Sequence, residues 1–154
     1  MATVEQSIDV NVPVRVVYDQ WTQFEEFPRF MEGVKSVTQL DDTHLHWVAE
    51  VAGEEKEWDA EIIEQHPDER VAWQSTSGAR NAGAVTFHRL DDDHTRVTLQ
   101  MDVEPEGIVE TAGEALGFLD RRVKGDLKHF KEFVEERRAP TGAWRGNVET
   151  PSSR

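Results

Sequence analysis

Apolar and polar positions alternate along most of this chain, and the period of that alternation changes three times. In residues 4–12, Ile8, Val10 and Val12 face one way while Ser7, Asp9 and Asn11 face the other, which predicts a half-buried strand. Pro13 ends it and is suited to a first helical turn. Val14, Val17, Tyr18 and Trp21 follow at helical spacing, so 13–22 reads as a short helix. A second short helix or turn is expected over 24–27, stopped by Pro28, with Phe27, Phe30 and Met31 anchoring the loop beyond it.

From Val34 the period becomes two and stays so as far as Val103, which predicts a meander of six antiparallel strands. Their turns fall at Asp41-Asp42-Thr43, at Gly53, at Pro67-Asp68-Glu69, in a loop over 75–83 rich in Ser, Thr, Gly and Asn, and at Asp91-Asp92-Asp93. The period then lengthens to helical. Val109, Ala112, Leu116, Leu119, Val123, Leu127, Phe130 and Val134 advance by three or four residues, so 108–138 reads as one amphipathic helix of roughly 45 Å. Glu106, Glu110 and Glu114 stand at its start and Arg121, Lys128, Arg137 and Arg138 in its middle and end, a distribution that complements the helix dipole. The tail over 139–154 carries Pro140, Gly142, Gly146 and Pro151 without periodicity and reads as loose, with Trp144 as a potential docking residue.

This order, strand, two short helices, six strands and a long helix, predicts an α+β architecture in which a curved antiparallel sheet of seven strands grips the C-terminal helix. It occupies residues 1–138 as a single domain. Strand parity puts Trp47, Ala49, Trp58, Ala60, Ile62, Val71, Trp73, Val85, Phe87, Val97, Leu99 and Met101 on the helix-facing side. Ala49 and Ala60 between tryptophans leave space. Gly113 and Gly117 lie one turn apart beside the stripe of Ala112, Leu116 and Leu119; a helical glycine costs ~1 kcal/mol relative to alanine, so the pair suggests close backbone approach or a bend. The same residues would equally suit a filled core.

Composition narrows the functions open to such a domain. The 154 residues carry a formal charge of -14, which argues against nucleic acid and against an anionic membrane surface. High acidity also accompanies adaptation to salt. With no cysteine, disulfides, thiolate metal sites and thiol nucleophiles are excluded. No basic-then-apolar N-terminal segment and no long uncharged apolar run occurs, so the expectation is a cytoplasmic protein without an integral membrane segment. His44 and His46 share the strand face opposite Trp47, His88 also points outward, and no histidine stands at metal-ligand spacing with two partners. No phosphate loop, dinucleotide fingerprint or nucleophile elbow is present, and neither metal nor cofactor is expected. Arg89 shares the parity of Val85 and Phe87 and is expected at a cavity mouth, with Arg80 and Asn81 in the adjoining loop.

Several segments resemble the START-like (SRPBCC, helix-grip) superfamily, in its polyketide cyclase/dehydrase branch, and are similar to the coenzyme Q-binding proteins. They are Ser7-Ile8-Asp9-Val10 with Val12-Pro13, Val17-Tyr18-Asp19-Gln20-Trp21, Phe27-Pro28-Arg29-Phe30-Met31, Pro67-Asp68-Glu69-Arg70-Val71-Ala72-Trp73 and Gly83-Ala84-Val85-Thr86-Phe87. The resemblance implies a deep cavity between the sheet and the C-terminal helix that takes lipids, quinones, polyketides or other hydrophobic molecules. The leading expectation is binding of a small hydrophobic ligand, by a monomer or homodimer, in a cavity lined by the inward residues above together with Arg89, Ala112, Gly113, Leu116, Gly117 and Leu119. The alternatives are a cyclase or aromatase acting on a poly-β-ketone and a protein-interaction module. No catalytic residue is assigned.

Overall fold

The computed structural model describes residues 2–51, 53–78, 81–103 and 112–137, and residues 139, 142, 146 and 148 of the tail. Seven antiparallel strands form one sheet in the order β1-β7-β6-β5-β4-β3-β2. They are β1 (Ala2–Val10), β2 (Val34–Gln39), β3 (His44–Val51), β4 (Glu54–His66), β5 (Arg70–Gly78), β6 (Asn81–Asp91) and β7 (His94–Val103). Helix α1 (Val14–Trp21) and a 3-10 helix (Phe24–Arg29) lie between β1 and β2, and α2 (Ala112–Arg137) follows β7. The meander is closed by a long-range pairing in which β1 returns beside β7, Val4 opposite Met101 and Ile8 opposite Val97. Register shifts in β2, β4–β5 and β6–β7 bend the strands so that the sheet curls.

Burial follows the alternation. Val71, Val85 and Val97 are fully buried, and Ala60, Ile62, Phe87 and Leu99 nearly so. From α2, Val123, Leu127, Phe130 and Val134 enter the same core. One end of the concave face is closed by aromatic rings. Trp21 of α1 meets Phe27, Phe30, Phe87 and Phe130 at centroid distances of 5.3, 6.5, 6.2 and 5.0 Å, and Tyr18 sits edge-on to Phe87 at 5.3 Å. Phe133 stacks on Phe30 at 5.5 Å, with the guanidiniums of Arg29 and Arg137 over its ring.

Four local features depart from the sequence reading. The segment expected as a loop over 75–83 is largely strand, because β5 runs to Gly78 and β6 begins at Asn81; Ser and Thr there occupy pleat positions despite their turn-forming composition. Pro28 lies within the 3-10 helix and does not stop it: a single turn needs few backbone donors, and Phe27 O accepts from Phe30 and Met31. The bulge at Ile63 resets the parity of β4, so Gln65 opposes Val71 and is 1 % exposed. In the tail, Val148 pairs with Gln65 through two backbone bonds of 2.8 Å, covering the part of β4 that extends past β3. Residues 108–111 and 138 of the expected helix, and Trp144, lie outside the described residues.

The turn into β2 is fastened to α2 by a paired donor and acceptor. Arg122 Nη1 donates to the carbonyls of Glu32 (2.7 Å) and Glu50 (3.3 Å), and one turn on, Asp126 Oδ1 accepts the Glu32 N–H (3.1 Å). Gly33 makes this possible. Its φ is +89°, and a Cβ there would collide with the Arg122 guanidinium and stand 2.9 Å from the Glu50 oxygen. Gly33→Ala is therefore expected to lower stability by about 1–3 kcal/mol in urea unfolding, whereas Gly53→Ala, with open space around its Cβ, carries only the strain of its own positive φ.

Candidate ligand-binding site

The other end of the concave face is built differently from the closed one. Register sets Trp47 of β3 opposite Trp58 of β4, and the two indoles stack with centroids 5.7 Å apart and planes 10° from parallel. Trp73 of β5 lies opposite Ile62 and Gly83. A Cβ on Gly83 would stand 2.5 Å from Trp73 Cζ2, so the missing side chain is what lets that ring lie across β6. Met101 of β7 follows, opposite Gly83. Three of these four large side chains, Trp58, Trp73 and Met101, are only half-buried although their parity is inward. The indole N–H groups of Trp47 and Trp58 are buried and have no acceptor among the described residues. Donors aimed into apolar surroundings are costly there unless another molecule supplies the acceptor. An aromatic chain joins the two ends, Trp21 to Phe27 (5.3 Å) and Phe27 to Trp47 (5.5 Å).

A few polar groups border this surface. The Asn81 N–H donates to Ser75 Oγ at 3.0 Å, and Asn81 is 8 % exposed. Lys56 has the parity of Trp58 and lies opposite Ala49, with Glu54 at 3.3 Å from its ammonium. Gln6 Nε2 donates to Asp120 Oδ1 at 2.7 Å, linking β1 to α2. From the sequence only Asn81 is named, in the loop beside the expected cavity mouth; Ser75, Lys56 and Gln6 are not. For Lys56 and Gln6 the signal was present, since both continue the inward parity of their strands.

Sequence-selected residues therefore fall into three groups. Trp58, Trp73 and Met101 keep accessible area at the open end, with Trp47 and Ala49 buried on the same face of β3, whereas Ala60, Ile62, Val71, Val85, Phe87 and Leu99 belong to the packed core. Arg89 is at neither: it lies at the β6–β7 turn, more than half exposed, with its guanidinium on Asp92. It keeps the parity of Val85 and Phe87, opposite Thr95, and the register shift comes only after it, so it stands where the strand runs out past the core. On α2, the side chains of Ala112, Leu116 and Leu119, and Gly113 beside them, lie outside the described residues, as does Arg80. Gly117 is described, and a Cβ there would meet only Arg121 at an ordinary 3.6 Å, so it marks no close backbone approach.

The histidines stand away from this surface. His46 on the convex face is held between Asp59 (2.7 Å) and Glu57 (3.0 Å), and the hydrogen bond to Asp59, then that to Glu57, raises its pKa. His44 is raised in the same way by Asp41. Among the described residues no three potential metal ligands converge, and no helix is long and apolar enough to cross a membrane.

A sequence profile described as polyketide cyclase / dehydrase and lipid transport matches residues 10–132. The chain belongs to this family. Within it, the chain is 59 % identical over 149 residues to an uncharacterized 17.2 kDa protein in the melC2-rnhH intergenic region of Streptomyces lincolnensis, covering 96 % of this chain and 99 % of the relative. The fold is shared with TTHA0849 from Thermus thermophilus, with a TM-score of 0.78, 22 % identity, and 88 % of this chain and 99 % of that chain covered. It is also shared with the Zhui aromatase/cyclase from Streptomyces sp. R1128, at a TM-score of 0.75, 18 % identity and coverage of 93 % and 99 %. A START superfamily protein from Mycobacterium smegmatis matches with a TM-score of 0.67, 13 % identity and coverage of 88 % and 95 %. This member of the polyketide cyclase / dehydrase and lipid transport family thus has a helix-grip fold, a curled seven-stranded sheet with a C-terminal helix, which it shares with that START superfamily protein.

Proposed function

We propose that the open end of the concave face binds a small, largely apolar molecule of the lipid, quinone or polyketide kind, with Trp47, Trp58, Trp73 and Met101 supplying the contact surface. The observation that carries this reading is the contrast within one sheet face. Valines at one end are fully buried, while Trp58, Trp73 and Met101 at the other keep accessible area; the indole N–H groups of Trp47 and Trp58, like that of Trp21 at the closed end, have no acceptor among the described residues. A carbonyl- or hydroxyl-bearing ligand would cover the rings and accept from the indoles, and flat aromatic surface confers affinity at low conformational cost. Family membership agrees with it.

Titration with the neutral fluorescent lipophile N-phenyl-1-naphthylamine tests this. Saturable binding is expected, weakened about tenfold or more by Trp58→Ala and by Met101→Glu, a loss of roughly 1.4 kcal/mol or more. Absence of saturable binding, or equal affinity in both variants with the fold intact, would sink the proposal.

A second reading, cyclisation of a poly-β-ketone, is favoured by one observation: Ser75, Asn81 and Lys56 bring hydroxyl, amide and ammonium groups to the border of the same surface. Those groups would orient ketone oxygens, and the ammonium would stabilise a developing enolate. Turnover of a poly-β-ketone analogue, lost in Lys56→Met while N-phenyl-1-naphthylamine still binds, would support it.

A further inference from the structure

A groove of about 460 Å³ runs between the edge strand β1 and the flank of α2, at the margin of the concave face, where it takes in the inward side chains of Gln6 and Ile8. We propose that it is a second binding site, for a small amphiphile whose anionic headgroup meets a trio of cations and whose alkyl chain lies on Ile8 and Leu127. The volume falls in the range of small-molecule sites, roughly 300–1,000 Å³.

Charge is the first argument. In a chain with a net charge of -14, most cations of the described residues are neutralised locally, as in Arg29–Glu26, Lys35–Glu55, Arg70–Glu64, Arg96–Asp9 and Lys131–Glu135. Arg121, Lys124 and Lys128 all line the groove, and none of them makes an ion pair among the described residues. They are spaced three and four residues apart on one helix face, where like charges repel. A bound carboxylate or phosphate monoester would relieve that repulsion, and Arg and Lys both suit such a group.

Shape is the second. Gly125 lies in the middle of the trio, and a Cβ built there meets nothing within 4 Å, which leaves a gap through which a chain can pass between the cationic side chains. Ile8 and Leu127 line the groove as apolar contacts, and the stems of the cations add methylenes.

The strand edge is the third. Lys131 Nζ donates to the Asp9 carbonyl (3.1 Å), and the Asn11 N–H donates to Glu135 Oε2 (2.8 Å), so α2 seals the edge of β1 at these two positions. Period-two alternation turns the backbone groups of Ser7 to the same edge, inside the groove. One open rung is too short for an added strand and enough for a headgroup, so a small amphiphile suits this place better than an extended peptide.

Calorimetric titration of the full chain with sodium decanoate, 1-decanol and sodium acetate decides the matter. Decanoate is expected to bind saturably, at least tenfold more tightly than either 1-decanol or acetate. It should weaken at least tenfold in the triple variant Arg121→Gln/Lys124→Gln/Lys128→Gln and be lost in Gly125→Leu, which fills the gap. N-phenyl-1-naphthylamine should bind all these proteins alike, because Trp47, Trp58, Trp73 and Met101, which form its site, are not among the residues lining the groove; that control also reports folding. Decanoate binding that is unchanged in both variants, matched by 1-decanol, or competed away by N-phenyl-1-naphthylamine would overturn the proposal, the last by putting decanoate on the concave face.

Discussion

Replacing Trp21 with alanine is expected to destabilise the protein by about 3–5 kcal/mol, the range for removing a large aromatic side chain from a core. Trp21 is 1 % exposed and is the shared neighbour of four phenylalanines contributed by the 3-10 helix, the segment just after it, β6 and α2. Its indole N–H has no acceptor among the described residues, and the loss is one of packing. In a domain whose total stability is on the order of 5–15 kcal/mol, this lowers the urea midpoint steeply with little change in slope. Trp21→Phe should recover part of the loss. A deficit below about 1 kcal/mol for the alanine variant would mean that this end of the face is not the closed core described.

The second large effect is pH-dependent and centres on Asp126. Burial raises its carboxyl pKa to about 7, against the opposing pull of the Glu32 N–H and the Arg122 guanidinium, while the Glu32 carboxylate adds to the rise. A folded-state value above the unfolded one means that the native state holds the extra proton between about pH 4 and pH 7. The stabilisation is complete below the unfolded pKa and is lost as pH rises through about 7, with a slope of up to ~1.4 kcal/mol per unit. Asp126→Asn keeps the oxygen that accepts from Glu32 and removes the titration. It is expected to match the wild type near pH 4 and to exceed it at pH 8 by an amount on the order of 1–3 kcal/mol. Urea unfolding at the two pH values checks this, and a variant less stable than wild type at pH 8 would show that the charged carboxylate is favourable where it stands.

These two residues illustrate what the sequence made legible. Trp21 lay at helical spacing with Val17 and Tyr18, and the strand faces followed from alternation as far as the β4 bulge, because one side of the sheet is buried and the other wet. Asp126 gave no such signal. It occupies a polar position of the α2 stripe, and its burial comes from a loop distant in sequence folding across it. Gln65 was turned inward by the irregularity at Ile63, whereas Arg89 kept its parity opposite Thr95 and is exposed because it stands at the strand end beyond the core. Ser75 and Asn81 were hidden by composition, since residues common in turns here continue two strands. The groove on the β1 flank was out of reach because it depends on how α2 crosses an edge strand, although the unopposed basic run of the helix was visible.

The claim that the open end of the concave face is the hydrophobic site is tested most directly by following the indole N–H resonances of the tryptophans, assigned through single Trp→Phe variants, as N-phenyl-1-naphthylamine is added. The account predicts progressive shifts for Trp47, Trp58 and Trp73, and none beyond baseline for Trp21 in the closed end. Shifts at Trp21 as large as those at Trp58, or none at Trp47, Trp58 and Trp73 under saturating probe, would contradict it.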